Sequence, residues 1–264
     1  MDKLLDGQLE FPGLAINNIL TTVLLPAFNE AMSLPKVLDE IDADMVMFLM
    51  NALYFKGNWS NQFDKSLTDE RPFYLSGGST VNVSTMTGEV GAKVVKGESF
   101  SAIELTYGRK NFSMIIIVPK ESIATFRSSF KMAAWDSLTS SIDGMTDYGK
   151  TIVFMPKFKF SYEKLLNSQL KSMGMTDAFV ESLANLSGIS DDMLYVDFVK
   201  QNTFVEVNEE GTEAAAVTTI GIKLTSTDPQ QTPTFIIDKP FIFAIRERTT
   251  NTLLFIGQVV NPLE

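Results

Sequence analysis

Residues 211–219 read GTEAAAVTT, a glycine followed by eight residues of which only Glu213 carries a long side chain, and a polar stretch continues to Pro233. In an extended chain Thr212, Ala214, Ala216 and Thr218 point to one face and are all small, while Glu213 points to the other. A strand of that pattern can slide into a crowded sheet. Left as a free loop, the same residues bury almost nothing and stay mobile in water. Composition alone favours the plainer alternative, a small-residue surface loop or a short helix.

The rest of the chain supplies the sheets that such a segment could enter. Residues 45–55, MVMFLMNALYF, are apolar at nearly every position except Asn51, which suggests a strand covered on both faces, although length alone leaves a buried helix open. Residues 71–119 read as short strands separated by Gly77-Gly78, Gly88, Gly97 and the run 108–111, with 101–107 and 112–118 paired as a hairpin. Helical spacing occurs twice. Ile123, Phe126 and Phe130 share a face within 122–142, and Leu166, Leu170 and Met173 share one within 161–174, with Ser161 as N-cap and Gly174 as stop. Residues 151–160 end as a half-exposed strand, and 240–245 with 252–260 give two apolar strands joined around 246–251. No repeat or linker divides the chain, so the pattern reads as one domain of α+β class with several antiparallel sheets.

Composition excludes much chemistry. The 264 residues include no cysteine and no histidine, which removes thiol nucleophiles, disulfides, Cys/His zinc sites and every histidine-assisted relay. A net charge of −10 with no basic stripe argues against nucleic acid as a partner. Apolar runs fall far short of the roughly 18 residues of a membrane span, so no membrane insertion is expected, and residues 1–7 show no signal peptide. Acidic groups at Asp39, Glu40, Asp42 and Asp44, at Asp191 and Asp192, and at Glu209 and Glu210 read as solvated surface rather than metal ligands. Sequons at Asn58, Asn82, Asn111 and Asn185 are motifs that arise by chance. Neither a metal nor a cofactor is expected.

Three motifs make the chain similar to the serpin family. Residues 51–59, NALYFKGNW, resemble the end of the third strand of that family's sheet A and its exit turn, with Asn51 at the sheet centre and Trp59 in the turn. Residues 205–216, VEVNEEGTEAAA, resemble the fifth strand of sheet A running into the hinge of the reactive-centre loop. This implies hinge roles for Glu209, Glu210, Gly211, Thr212, Glu213, Ala214, Ala215 and Ala216. Residues 238–262, DKPFIFAIRERTTNTLLFIGQVVNP, resemble the C-terminal strands, and 186–195, LSGISDDMLY, agree as well. Gln201 stands where the family usually places a histidine near the Asn51 side chain, and a glutamine can still hydrogen-bond an asparagine.

The resemblance runs from Leu34 to Glu264. It implies a serpin-like α+β fold, mainly antiparallel sheets A, B and C with packed helices, truncated at the N-terminus. Residues 1–264 then form a single domain with an atypical start at 1–33 and a reactive-centre loop at 209–233. Residues 14–25 are expected to cap the edge left open in sheet A.

The implied function is that of a metastable serine protease inhibitor rather than an enzyme. A target protease cleaves the loop, and the cut loop inserts between the strands carrying Asn51 and Gln201. Counting from Glu209 places the reactive bond at Thr225-Ser226. Lys223 and Leu224 mark the alternative at Lys223-Leu224, and Leu224 also suits chymotrypsin-like enzymes. The expected partner is therefore an elastase-like serine protease first and a trypsin-like one second, met by a monomer in an extracellular or periplasmic setting. A non-inhibitory serpin-like binding module, or an inactive truncated serpin, is the rival. Non-inhibitory relatives usually carry bulky, charged or proline residues in the hinge, and this hinge has small ones.

Overall fold

The computed structural model describes residues 47–55, 57–189, 193–212 and 232–264. The chain divides into two compact units, one taking in Ser161–Phe204 with residues up to Tyr54, the other Phe55–Phe160 with Val205–Glu264.

In the first unit, β1 (Phe48–Tyr54) lies parallel to β9 (Phe198–Val207), with Asn51 directly opposite Gln201. No strand stands between them over those seven paired positions. A short helix, α3 (Asn167–Ser172), ends at Gly174 in a left-handed conformation with φ +101°. The helical spacing overreached here. Ser161 is not an N-cap, because 161–165 complete a strand, β8 (Phe158–Leu165), and Met173 is 82% exposed. Of the spaced residues only Leu170 lies within the helix; Leu166 and Met173 flank it as its two caps.

The second unit holds an eight-stranded sheet with the order β11 (Thr234–Ile236), β7 (Gly149–Pro156), β4 (Thr80–Lys96), β5 (Phe100–Tyr107), β6 (Phe112–Pro119), β12 (Phe241–Glu247) and β13 (Thr252–Val259), with β3 (Asp69–Tyr74) also paired to β4. Pairing is antiparallel except between β11 and β7. The middle of the sheet is apolar on both faces: Met114, Ile115, Ile116 and Ile117 of β6 have no exposed surface, as continuous runs of branched residues require. One face is covered by α1 (Ile123–Ser129) and α2 (Met132–Asp143), whose Phe126, Trp135, Leu138 and Ile142 pack on Ala102, Ile115, Ile117 and Ala244.

Two expectations change in this unit. The helical stretch 122–142 is two helices, since Phe130 turns extended (φ −75°, ψ 106°) after α1, while Ser122 caps α1 by accepting the Thr125 N–H at 3.2 Å. Gly88 is not a turn. It lies inside β4, which pairs with β3 through Thr85, with β7 from Thr85 to Ala92 and with β5 from Lys93 onward. A Cβ at Gly88 would stand 3.0 Å from the Phe63 ring, so the glycine admits close packing. Among the described residues no helix is long and apolar enough to cross a membrane.

Candidate functional site

The segment following β9 turns back on itself at once. Asn208 and Gly211 exchange backbone hydrogen bonds (2.9 and 3.2 Å) around Glu209 and Glu210, and the Asn208 side chain accepts from the Glu210 N–H at 3.0 Å. The returning strand is β10 (Gly211–Thr212), antiparallel to Val207 of β9 on one edge and to β2 (Gly57–Asn58) on the other. Only glycine fits at 211. A Cβ there would lie 2.0 Å from the Gly57 carbonyl oxygen, so backbone approaches backbone with no room for a side chain.

Residues 59–63 fasten the turn. The Trp59 N–H donates to the Glu210 carbonyl and the Phe63 N–H to the Glu209 carbonyl, each at 2.9 Å. The Trp59 indole Nε1 donates to the Asn208 carbonyl at 2.9 Å. Trp59 itself is buried and stacks on Tyr107, ring centroids 4.4 Å apart.

Glu209 is not the solvated carboxylate that its sequence neighbourhood suggested. It is 4% exposed and accepts from the Thr68 hydroxyl (2.8 Å) and the Lys157 ammonium (3.2 Å). Burial pushes its carboxyl up, but hydrogen bonds from its own backbone N–H, Thr68 and Lys157 outweigh burial and hold it below the ordinary value. Glu210 is half-buried and makes an ion pair with the exposed Lys65. Thr212 has no exposed surface, and its hydroxyl shares a hydrogen bond of 2.8 Å with the Tyr107 hydroxyl.

The structure thus brings Trp59, Glu209, Glu210, Gly211 and Thr212 together in the second unit. Asn51 and Gln201 face each other in the first, half-buried rather than fully buried, with the Gln201 amide donating to Thr203 at 3.4 Å. The hinge continuation Glu213, Ala214, Ala215 and Ala216, and the bonds Thr225-Ser226 and Lys223-Leu224, lie outside the described residues. So do residues 14–25 and the acidic groups at 39–44 and 191–192.

Sequence reasoning missed Thr68, Lys157, Asn208 and Tyr107. Lys157 falls in the stretch 151–160 expected to end as a half-exposed strand; only the buried glutamate 52 residues later reveals its task. Among the described residues no group of three carboxylates is placed to hold a metal ion.

Comparison with known proteins gives concordant matches. A family model described as Serpin (serine protease inhibitor) matches residues 32–262. A protein named serine protease inhibitor, from Cyanea capillata, is 38% identical over 220 residues, covering 81% of this chain and 56% of that protein. The native-state crystal structure of Tengpin, a thermophilic serpin, superposes with a TM-score of 0.74 at 30% identity, over 90% of this chain and 61% of its own. Human thyroxine-binding globulin in complex with thyroxine gives 0.75 at 26% identity, over 90% and 63%. The chain spans about half the length of the curated relatives that it matches.

Proposed function

This chain belongs to the serpin family, and from that premise we propose that it inhibits serine proteases as a suicide substrate. The observation that carries the reading is Thr212. The first small residue of the hinge lies fully buried, backbone-paired on both edges, with its hydroxyl bonded. A loop whose first residue is already a strand can extend that strand by adding residues at one end, which avoids the cost of nucleating it.

The chemistry begins as ordinary proteolysis. The target's serine oxygen attacks the carbonyl carbon of Thr225, the Thr225-Ser226 C–N bond breaks, and Ser226 leaves as a new amino terminus, so that Thr225 is held as an ester on the protease. The freed strand then adds residues 213–225 behind Thr212. Insertion has to part the β1–β9 ladder, in which Asn51 and Gln201 lie opposite each other. These 13 residues, 213–225, at about 3.3 Å each carry the bound protease on the order of 40 Å. New backbone hydrogen bonds at roughly 0.5 to 1.5 kcal/mol each give on the order of 10 kcal/mol, enough to deform the captured active site before water cleaves the ester. The inhibitor works as a monomer without metal or cofactor. Small side chains at the reactive bond favour an elastase-like target, and Lys223 offers a trypsin-like enzyme the bond to Leu224.

The rival reading, a non-inhibitory binding module, draws support from the similarity to thyroxine-binding globulin. One experiment separates the two. Mixed with an elastase-like or a trypsin-like protease, an inhibitor gives a complex that survives SDS and releases a peptide. Its N-terminus at Ser226 supports the first register and at Leu224 the second. Cleavage outside 220–229 defeats both, and absence of any complex supports the binding module.

A further inference from the structure

The hydroxyl of Thr212 is buried, and the group that meets it is the Tyr107 phenol, at 2.8 Å and 105 positions away in the chain. Tyr107 ends β5 and is 3% exposed. Its ring has little freedom. It stacks on Trp59 with an interplanar angle of 13° and meets the Phe55 ring edge-on at 4.9 Å. Gly57 makes this approach possible, since a Cβ there would stand 3.1 Å from Tyr107 Cδ1 and 3.0 Å from Phe55. Burial pushes the phenol's pKa far up, against the bond with Thr212, so the hydroxyl stays neutral and able to donate or accept.

Besides the bonds from residues 59–63, two side-chain fastenings hold the turn. Glu209, within it, is held by Thr68 and Lys157; Thr212, after it, is held by Tyr107. The two fastenings differ in consequence. Releasing Glu209 loosens the turn, whereas releasing Thr212 frees the residue from which an inserting strand would grow. A buried hydroxyl deprived of its partner is better placed in water, so the Tyr107 hydroxyl decides whether the hinge rests in the sheet or out of it.

We propose that Tyr107 is a positioning residue for the hinge, whose hydroxyl keeps Thr212 docked between β2 and β9 so that loop insertion starts from a strand already begun. The docking stands on geometry alone; its effect on inhibition rests on the inhibitory reading. With Thr212 undocked, the cut loop must re-enter the sheet before it can extend, and more acyl-enzyme is hydrolysed in that interval. Tyr107 thus acts on the partition between trapping and turnover and leaves the first encounter alone.

The test is hydrogen exchange on the unliganded protein for Tyr107→Phe, Thr212→Val and the double variant. Each single change leaves one buried hydroxyl without its partner and should speed exchange of the 211 and 212 amides about tenfold, while β6 and β12 amides keep their protection. The double variant replaces both partners by apolar groups of the same shape and should return within about threefold of the parent. Unchanged exchange in Tyr107→Phe, or a double variant showing the product of the two single effects, overturns the proposal. In parallel, Tyr107→Phe should raise the number of inhibitor molecules consumed per trapped protease at least about twofold with the association rate unaltered. A ratio equal to the parent's would also overturn it. Should the parent trap no protease, the inhibitory reading fails and the exchange result still decides the docking.

Discussion

Two buried carboxylates in the same unit are neutralised in contrasting ways. Glu104, on β5, has no exposed surface and accepts from Arg246 and Ser113, each at 2.8 Å. Arg246 is equally buried and also donates to both Asp143 oxygens (2.7 and 2.9 Å) and to Asn251 (2.9 Å). That cluster ties β5, β6, β12 and the end of α2 into one scaffold. Glu209 is nearly as buried, but its partners come from a turn, Thr68, and from the junction of β7 and β8, where the Lys157 side chain is 39% exposed. Burial of charge alone does not mark a working part. Access to water does not separate the two, since the Asp143 side chain is 40% exposed; what distinguishes the hinge is that Thr68 and Lys157 lie between elements, whereas Glu104 and Arg246 lie within β5 and β12.

The largest expected effect comes from breaking the scaffold cluster. Arg246→Met removes the main partner of the fully buried Glu104, leaving it Ser113 and a longer contact of 3.3 Å to Arg248, and should cost about 3–5 kcal/mol, read from urea denaturation. Glu209→Gln should cost less, about 1–3 kcal/mol, because Thr68 can still donate to the amide oxygen. A Glu209 variant as damaging as the Arg246 one would erase the contrast between hinge and scaffold.

Acid gives a gentler probe of the same comparison. Glu209 has its folded-state pKa depressed below the ordinary 4.5, so its contribution is complete above that value and is lost as pH falls through the lower folded one. Asp143 behaves in the same sense, because hydrogen bonds from Arg246 lower its carboxyl against the effect of burial. Stability of the parent should therefore fall on acidification below about pH 4.5. Glu209→Gln should fall less steeply and keep the part due to Asp143; identical slopes for the two proteins would remove Glu209 from the account.

Local pattern carried much of the fold. The apolar run on either side of Asn51, the 101–107 and 112–118 hairpin and the C-terminal pair of strands all rest on periodicity or turn chemistry that neighbours in sequence display. Gly88 and Ser161 misled because a glycine in a strand and a serine before leucines look alike whether or not a distant ring or strand packs on them. The hinge stands out in the sequence as a run of small residues, and its functional role enters only through resemblance. Its fastenings do not stand out. Tyr107 and Lys157 lie 105 and 52 residues from the groups they hold, and neither local spacing nor residue type announces such a partner.

The central claim is that Thr212 is the first rung of an inserting strand, and Thr212→Arg tests it most directly. The site has no exposed surface, so a guanidinium there would be a buried charge costing several kcal/mol, and the strand could not start. Titrated against a protease that the parent traps, the variant should be cut at the same bond and released, with active protease recovered and no SDS-stable complex. Trapping as efficient as the parent's would contradict insertion through Thr212.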